Sequence, residues 1–241
     1  MTPRIGTPAF AAHPFIALAT LLLIAAFMAL GFWQLDRMRQ KQALFDAFAQ
    51  GAGAARELSD VAPGSDARFT HVAASGHYDS AHQFLLDNMT HAGRAGFRVL
   101  TPFVYAEGAT VLVDRGWVAL GATREQLPEI SVGEGSRRVA GRLDELPAAG
   151  IELRASDAAT AWPRVLSYPR HAELSAALER PLYPHIILLD PDQPDGYVRE
   201  WRPSTFPPER HLGYAITWFA LAATVVVVFV VINFRPLKGR R

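Results

Sequence analysis

The chain of 241 residues carries 24 Lys+Arg against 23 Asp+Glu, a formal net charge of +1, and is 50% hydrophobic with no cysteine. The charge balance excludes a strongly basic nucleic-acid binder. The missing thiols exclude a disulfide framework, a zinc ribbon, a thiolate-held cluster and a cysteine nucleophile. The hydrophobic residues are not spread evenly. After residues 1–14, the run 15–33 (FIALATLLLIAAFMALGFW) holds no charge and would extend about 28 Å as a helix, enough for the hydrocarbon core of a bilayer. It exceeds the apolar part of a signal peptide and no small-residue cleavage site follows, so it reads as a retained anchor.

Residues 36–50 space Met38, Leu44, Phe45 and Phe48 among charges, which predicts that the helix continues a few turns beyond the membrane. The Gly-, Ala-, Ser- and Pro-rich stretch 51–66 reads as an irregular linker, and a folded domain is expected from about Arg68. Short strand patterns then alternate with tight turns: RFTHVAASGHY, HQFLLDN, FRVLTPFVY and TVLVDRGWV, and farther on RRVAGRLDEL, a weaker WPRVLSY, HIILLD and GYVREW. REQLPEI and HAELSAALE offer short helical pieces. The expectation is a mainly antiparallel β domain, barrel-like or sandwich-like, within residues 34–210. Pattern alone leaves barrel and sandwich open. The segment 211–234 is uncharged apart from any proton on His211 and ends in the basic tail 235–241, which reads as a second transmembrane helix with a charged stop.

Arg235, Lys238, Arg240 and Arg241 give that tail +4, which places it on the cytoplasmic side by the positive-inside rule. With two spans both termini are then cytoplasmic and the central domain is periplasmic. Removing Arg4 and the tail from the total leaves −4 for the remainder.

Common catalytic signatures such as G-x-S-x-G, H-E-x-x-H and the phosphate-binding glycine loops are absent. LDPDQPDG (189–196) resembles a calcium loop, but Pro194 stands at a ligand position and no glutamate closes it, so it reads as a turn. His71, His77, His82 and His91 crowd one region without the helical spacing of a zinc site and read as solvated or core histidines. Alternation puts Arg115 beside Trp117 on one strand face. Arg115 then has either a structural cation–π or salt-bridge role, with Asp87 nearby, or an exposed one open to a carboxylate or a partner protein. At the membrane edge, Trp33 and Gln34 end the first span where His211 and Tyr214 begin the second. His211, Tyr214, Trp218 and Ala222 recur at 3, 4 and 4 residues and are expected to share a stripe. An imidazole at that depth above aromatic flats suits a haem iron or porphyrin plane. The other reading is an interfacial aromatic belt with a snorkelling histidine.

GFWQLDRMRQK, SGHY, FLLDN, GFRVLTPF, VLVDRGWV followed by REQLP, LDPDQPDG and HLGYAITWFALA together resemble the Surfeit locus protein 1 family of cytochrome c oxidase assembly factors, as a bacterial-type member. The resemblance runs nearly end to end and is weakest at 51–66 and 151–162. It implies a non-enzymatic, inner-membrane protein that aids maturation of the catalytic subunit of an aa3-type oxidase, holding or handing over haem a, with the haem a synthase as a further partner. It implies that His211 is the haem iron ligand; Tyr214, Trp218 and Trp33, from the stripe and the edge of the first span, are the expected lining of the pocket. Gly76, Arg115, Gly116 and Trp117 match the family pattern in a folding or docking role. The alternative is a scaffold that binds no haem and stabilises an assembly intermediate through protein contacts.

Overall fold

A computed structural model describes residues 9–10, 12–51, 53–64, 67–123, 126–147, 161–203 and 206–235. Arg4, the tail cations Lys238, Arg240 and Arg241, and the segment 151–160 lie outside the described residues. In chain order the elements are β1 (Ala9–Phe10), α1 (Pro14–Gln50), β2 (Arg56–Glu57), β3 (His71–Tyr78), β4 (Phe84–His91), β5 (Arg94–Tyr105) and β6 (Ala109–Ala119). They continue with β7 (Arg137–Asp144), β8 (Arg164–Leu166), α2 (His171–Leu178), β9 (Leu182–Leu189), α3 (Pro208–Asn233) and β10 (Phe234–Arg235). They form a helical unit, Met1–Asp46 with Thr205–Arg241, and a β-rich unit, Ala47–Ser204.

In the helical unit, α1 and α3 are both long and apolar enough to cross a bilayer. α1 has 37 residues, about 55 Å of helix, so its charged last turns extend well past a hydrocarbon core of roughly 30 Å. β1 pairs antiparallel with β10, Ala9 opposite Arg235, which sets the start of α1 beside the end of α3. The two helices therefore run antiparallel. Along α1 the less exposed positions are Thr20, Ile24, Phe27, Gly31 and Gln34, and along α3 they are His211, Ala215, Trp218, Ala222 and Val225. Both sets alternate steps of four and three, the seam spacing of paired helices. A Cβ on Gly31 would stand 2.4 Å from the Phe219 ring, and Ala215 and Ala222 are buried. Small residues at the seam let helices approach closely where lipid supplies no hydrophobic drive between them.

In the β-rich unit, β3, β7, β9, β6 and β5 pair in that order, and β5 returns to β3. The result is a closed five-stranded barrel, which resolves the alternative left open by the pattern. Numbered along the chain the barrel strands run 1-2-3-5-4-1, a Greek-key arrangement of the OB type. Within the ring only β6 and β9 pair parallel. The sheet extends past the barrel where β4 pairs with β5 and β8 with β4.

Val72 and Ala74, Val111 and Val113, and Ile187 and Leu189 sit two apart on their strands and enter one core cluster with Tyr78, Phe103, Val139 and Leu143, as the pleat requires. Leu112, Ile186 and Leu188 of the opposite face are buried too, so these strands read as unbroken apolar runs rather than alternating ones.

Two expectations are corrected. The β-rich unit begins well before Arg68: Phe48, in the last turns of α1, packs edge-on to Phe69 at 5.3 Å, and Leu58 and Val61 are buried in the main core. The Arg142 guanidinium lies 4.3 Å over the Phe48 ring and donates to the Phe48 carbonyl at 3.0 Å, a cation placed where a helix C-terminus favours one. The segment read as linker thus carries β2, which pairs parallel with β3, and is anchored by its few apolar residues. The second correction concerns REQLPEI, whose described part, 126–130, contains no helix; Pro128 removes a helical donor there. HAELSAALE does supply α2, which ends at Glu179 with a left-handed φ of 53°.

Barrel closure depends on Gly76. A Cβ there would stand 1.9 Å from the Val104 carbonyl oxygen, beside the only two β3–β5 pairs, His77 with Val104 and Tyr78 with Phe103. Gly76→Ala is expected to lower stability by roughly 1–3 kcal/mol, read as a fall in the denaturant midpoint of the detergent-solubilised chain.

Candidate functional site

The membrane-edge residues fall into two groups. His211 and Trp218 lie on the helix seam, with Trp218 tilted against Phe27 at a centroid distance of 5.7 Å. Tyr214 and Trp33 turn away from it, 55% and 50% exposed, and Trp33 instead carries Arg37 over its ring at 5.8 Å. The phase explains this: three residues rotate about 300° around an α-helix and four about 400°, so Ala215, rather than Tyr214, follows His211 on the seam. The partner that meets His211 is Gln34, whose Oε1 lies 2.8 Å from His211 Nδ1. The other ring nitrogen, Nε2, is buried without a hydrogen-bond partner. The sequence already set Gln34 at the same membrane edge as His211; Phe27 is the residue it missed, and the four-three recurrence along α1 was the available signal.

The Arg115 neighbourhood is built differently. In β6, Asp114 opposes Leu100 and Trp117 opposes Arg98, so Arg115 and Gly116 together face Val99 in a β-bulge. Gly116 has φ 111°, and a Cβ on it would come 2.6 Å from the Val198 carbonyl oxygen. The chain after β9 straps across this bulge: Tyr197 N–H donates to the Arg115 carbonyl at 2.6 Å and Trp117 N–H to that of Val198 at 2.8 Å. Arg115 itself is 2% exposed, which overturns the exposed reading. Its guanidinium donates to the carbonyl oxygens of Asp195 (2.7 Å) and Ile130 (2.9 Å) and to Gln83 Oε1 (3.0 Å). It also lies 5.6 Å from the Tyr78 ring and 5.1 Å from that of Tyr197. Burial, offset by the cations Arg115 and Arg137, pushes the Tyr78 phenol up to about 12. Trp117 donates Nε1–H to the Met89 carbonyl at 3.0 Å and covers Gly96, where a Cβ would meet its ring at 2.5 Å. Asp87 accepts from Asn88 N–H at 2.7 Å. Gly76, Arg115, Gly116 and Trp117 thus all occupy positions that shape the barrel wall.

The loop that resembles a calcium site holds a side-chain cation. Arg199 donates to the carbonyl oxygens of Asp190, Gln193 (2.9 Å) and Pro191 (3.0 Å), so the guanidinium sits among the oxygens a metal would use. The four crowded histidines go separate ways. His71 bridges Asp190 Oδ2 and the Gly53 carbonyl oxygen, both at 2.6 Å; His82 bonds Asp79 at 2.8 Å; His91 leans on Trp117 at 5.3 Å; and His77 is exposed. Among the described residues no three His, Asp or Glu side chains converge as a metal site. A cleft of about 330 Å³ is lined by His77, Tyr78, Asp79, Glu134 and Arg180. Its Asp79 carboxylate is already engaged, since Arg180 reaches Asp79 Oδ2 at 2.6 Å opposite His82.

A sequence model of the SURF1 (Surfeit locus protein 1) family matches residues 21–223, most of the chain. The chain belongs to the SURF1 family. This is a family of cytochrome c oxidase assembly factors rather than of catalysts. No curated protein matched the sequence. The SURF1 match takes in the whole barrel and both sides of the helix seam, from Leu21 on α1 to Ala223 on α3.

In this SURF1 chain the cleft carboxylate has a structural consequence. Burial alone raises the Asp79 pKa, but the hydrogen bond and charge of His82, with those of Arg180, outweigh it and hold the group below the usual 3.8. A depressed folded value means stability that is present above the ordinary carboxylate pKa and lost as pH falls through the lower, folded one. Asp79→Asn is therefore expected to lower stability at neutral pH and to flatten the acid limb of the stability–pH curve below about pH 4, measured by denaturant titration across that range.

Proposed function

We propose that the protein aids assembly of an aa3-type cytochrome c oxidase as a membrane-anchored haem a chaperone, holding haem a for the catalytic subunit. The observation that carries this reading is His211, one ring nitrogen engaged by Gln34 and the other buried without a partner. A buried polar atom left unpaired is costly, and such atoms call for a functional explanation. An imidazole Nε2 whose opposite nitrogen is already hydrogen-bonded is a donor that would hold a haem iron, so the residues present fit the group. When bound, haem a brings that iron together with a long apolar tail suited to lipid and two propionates suited to water. The seam offers it the flat apolar surfaces of Trp218 and Phe27, two helical turns, about 10 Å, inward from the level of His211 and Gln34 where the charged turns of α1 begin. Tyr214 and Trp33, on the outward faces, are not needed by this reading.

In the same proposal the protein resides in a bacterial inner membrane with both termini cytoplasmic and the barrel periplasmic. The haem a synthase is the source of the cargo and the oxidase catalytic subunit its destination. The antiparallel helix pair supports a common side for the two termini, and the basic tail supports the cytoplasmic one.

The test is to purify wild type and His211→Ala from cells that make haem a. Wild type is expected to carry a Soret band and His211→Ala to lose most of it, since the variant has no imidazole to hold the iron. Equal haem content in the two removes His211 from this role. Co-purification of both with the oxidase subunit, with no Soret band in either, supports the haem-free scaffold instead.

A further inference from the structure

We infer that Gln34 is a positioning residue that sets the tautomer of His211, keeping the proton on Nδ1 and the lone pair on Nε2. This rests on the haem reading only for its purpose; the tautomer itself follows from the helix pair. Gln34 Oε1 lies 2.8 Å from His211 Nδ1, a good distance for an N–H donating to an amide oxygen. A glutamine amide offers either its oxygen or its NH₂ to a ring nitrogen, and the two choices have opposite consequences. With the NH₂ turned inward, Nδ1 would accept and the proton would lie on Nε2, leaving a buried N–H with no acceptor. With the oxygen inward, Nδ1–H is satisfied and the atom left over at Nε2 is a lone pair. Orphaned buried donors are rarer than under-satisfied acceptors, so the arrangement with Oε1 facing Nδ1 wins.

The placement of Gln34 gives it this task. It holds the seam position on α1 one turn after Gly31, whose missing Cβ admits the Phe219 ring, and it is the one amide in the four-three set of α1. A polar residue at a single seam position sets the register of paired helices at some cost in stability. Here the register is also what brings residues 34 and 211 into contact across 177 positions of sequence. The bond holds the imidazole ring in one orientation. Partners of this kind, one bond removed from a ligand, typically change metal affinity 10–100-fold when lost.

The experiment uses the full chain labelled with ¹⁵N-histidine, in detergent and without haem, at alkaline pH where imidazole is neutral. The His211 signals are assigned by their loss in His211→Ala. Wild type is expected to show a protonated Nδ1 and an unprotonated Nε2. Gln34→Leu, which keeps the side-chain bulk without an acceptor, is expected to give a tautomer mixture, and Gln34→Glu, which keeps an acceptor, to restore the single form. A proton on Nε2 in wild type, or an unchanged tautomer in Gln34→Leu, overturns the inference. In a second arm, haem a is titrated into the same proteins. Gln34→Leu is expected to bind about 10-fold or more weakly and Gln34→Glu to recover, a rescue that general damage to the helix pair would not show. If His211→Ala binds haem a as wild type does while the tautomer result holds, the proposed function fails and the inference stands. If His211→Ala loses haem a while Gln34→Leu binds as wild type does, the inference fails alone.

Discussion

One buried guanidinium ties the β-rich unit together. Arg115 draws its hydrogen bonds from the turn before β4, from the extended segment between β6 and β7, and from the loop after β9, while the rings of Tyr78 and Tyr197 flank it. Burying a charge is expensive unless it is thoroughly hydrogen-bonded, so each of those segments is constrained to deliver an oxygen to the same place. The bulge at Arg115 and Gly116, the strap over it and the indole of Trp117 across Gly96 all follow from placing that cation inside the wall. Arg199 repeats the device at a smaller scale, gathering the carbonyl oxygens of the 190–193 turn around one side chain.

The helix pair follows a different rule. In lipid there is no hydrophobic gain from helix contact, so close packing at Gly31, Ala215 and Ala222 and one polar contact across the seam provide the specificity. That polar contact is also where the proposed chemistry sits. A histidine alone on such a face could snorkel to water. Held through Nδ1, it keeps its second nitrogen directed away from its tether.

The sequence revealed elements better than partnerships. Two uncharged runs and seven of the eight short strand patterns became the expected elements because their signals are local; GYVREW supplies only an isolated bridge from Val198 to Trp117. Closure was not, because the choice between barrel and sandwich rests on β5 meeting β3 through two residue pairs beside a glycine. Leu58 and Val61 were hidden in a stretch whose composition reads as linker, since two apolar residues make no period. Tyr214 was misplaced by one residue: from His211 to Ala222 the seam steps four, three and four, so Ala215 holds the place that a 3-4-4 reading gives to Tyr214. The buried state of Arg115 was equally out of reach, because its acceptors, two backbone and two side-chain oxygens, come from segments far apart in sequence. REQLPEI had helical composition, and Pro128 with tertiary context prevailed over it.

The strand order also bears on how the protein is made. β9 lies between β6 and β7, so the barrel cannot close until the chain has been extended through Leu189, and α3 begins soon after, at Pro208. During synthesis the emerging domain hangs from α1 alone, with β6 and β7 both presenting unpaired edges to their surroundings, a state open to mispairing. Insertion of the last barrel strand and insertion of the second membrane helix are consequently near neighbours in time. A ribosome that stalls between them would leave a tethered, open-edged sheet as a natural substrate for chaperones or quality-control proteases.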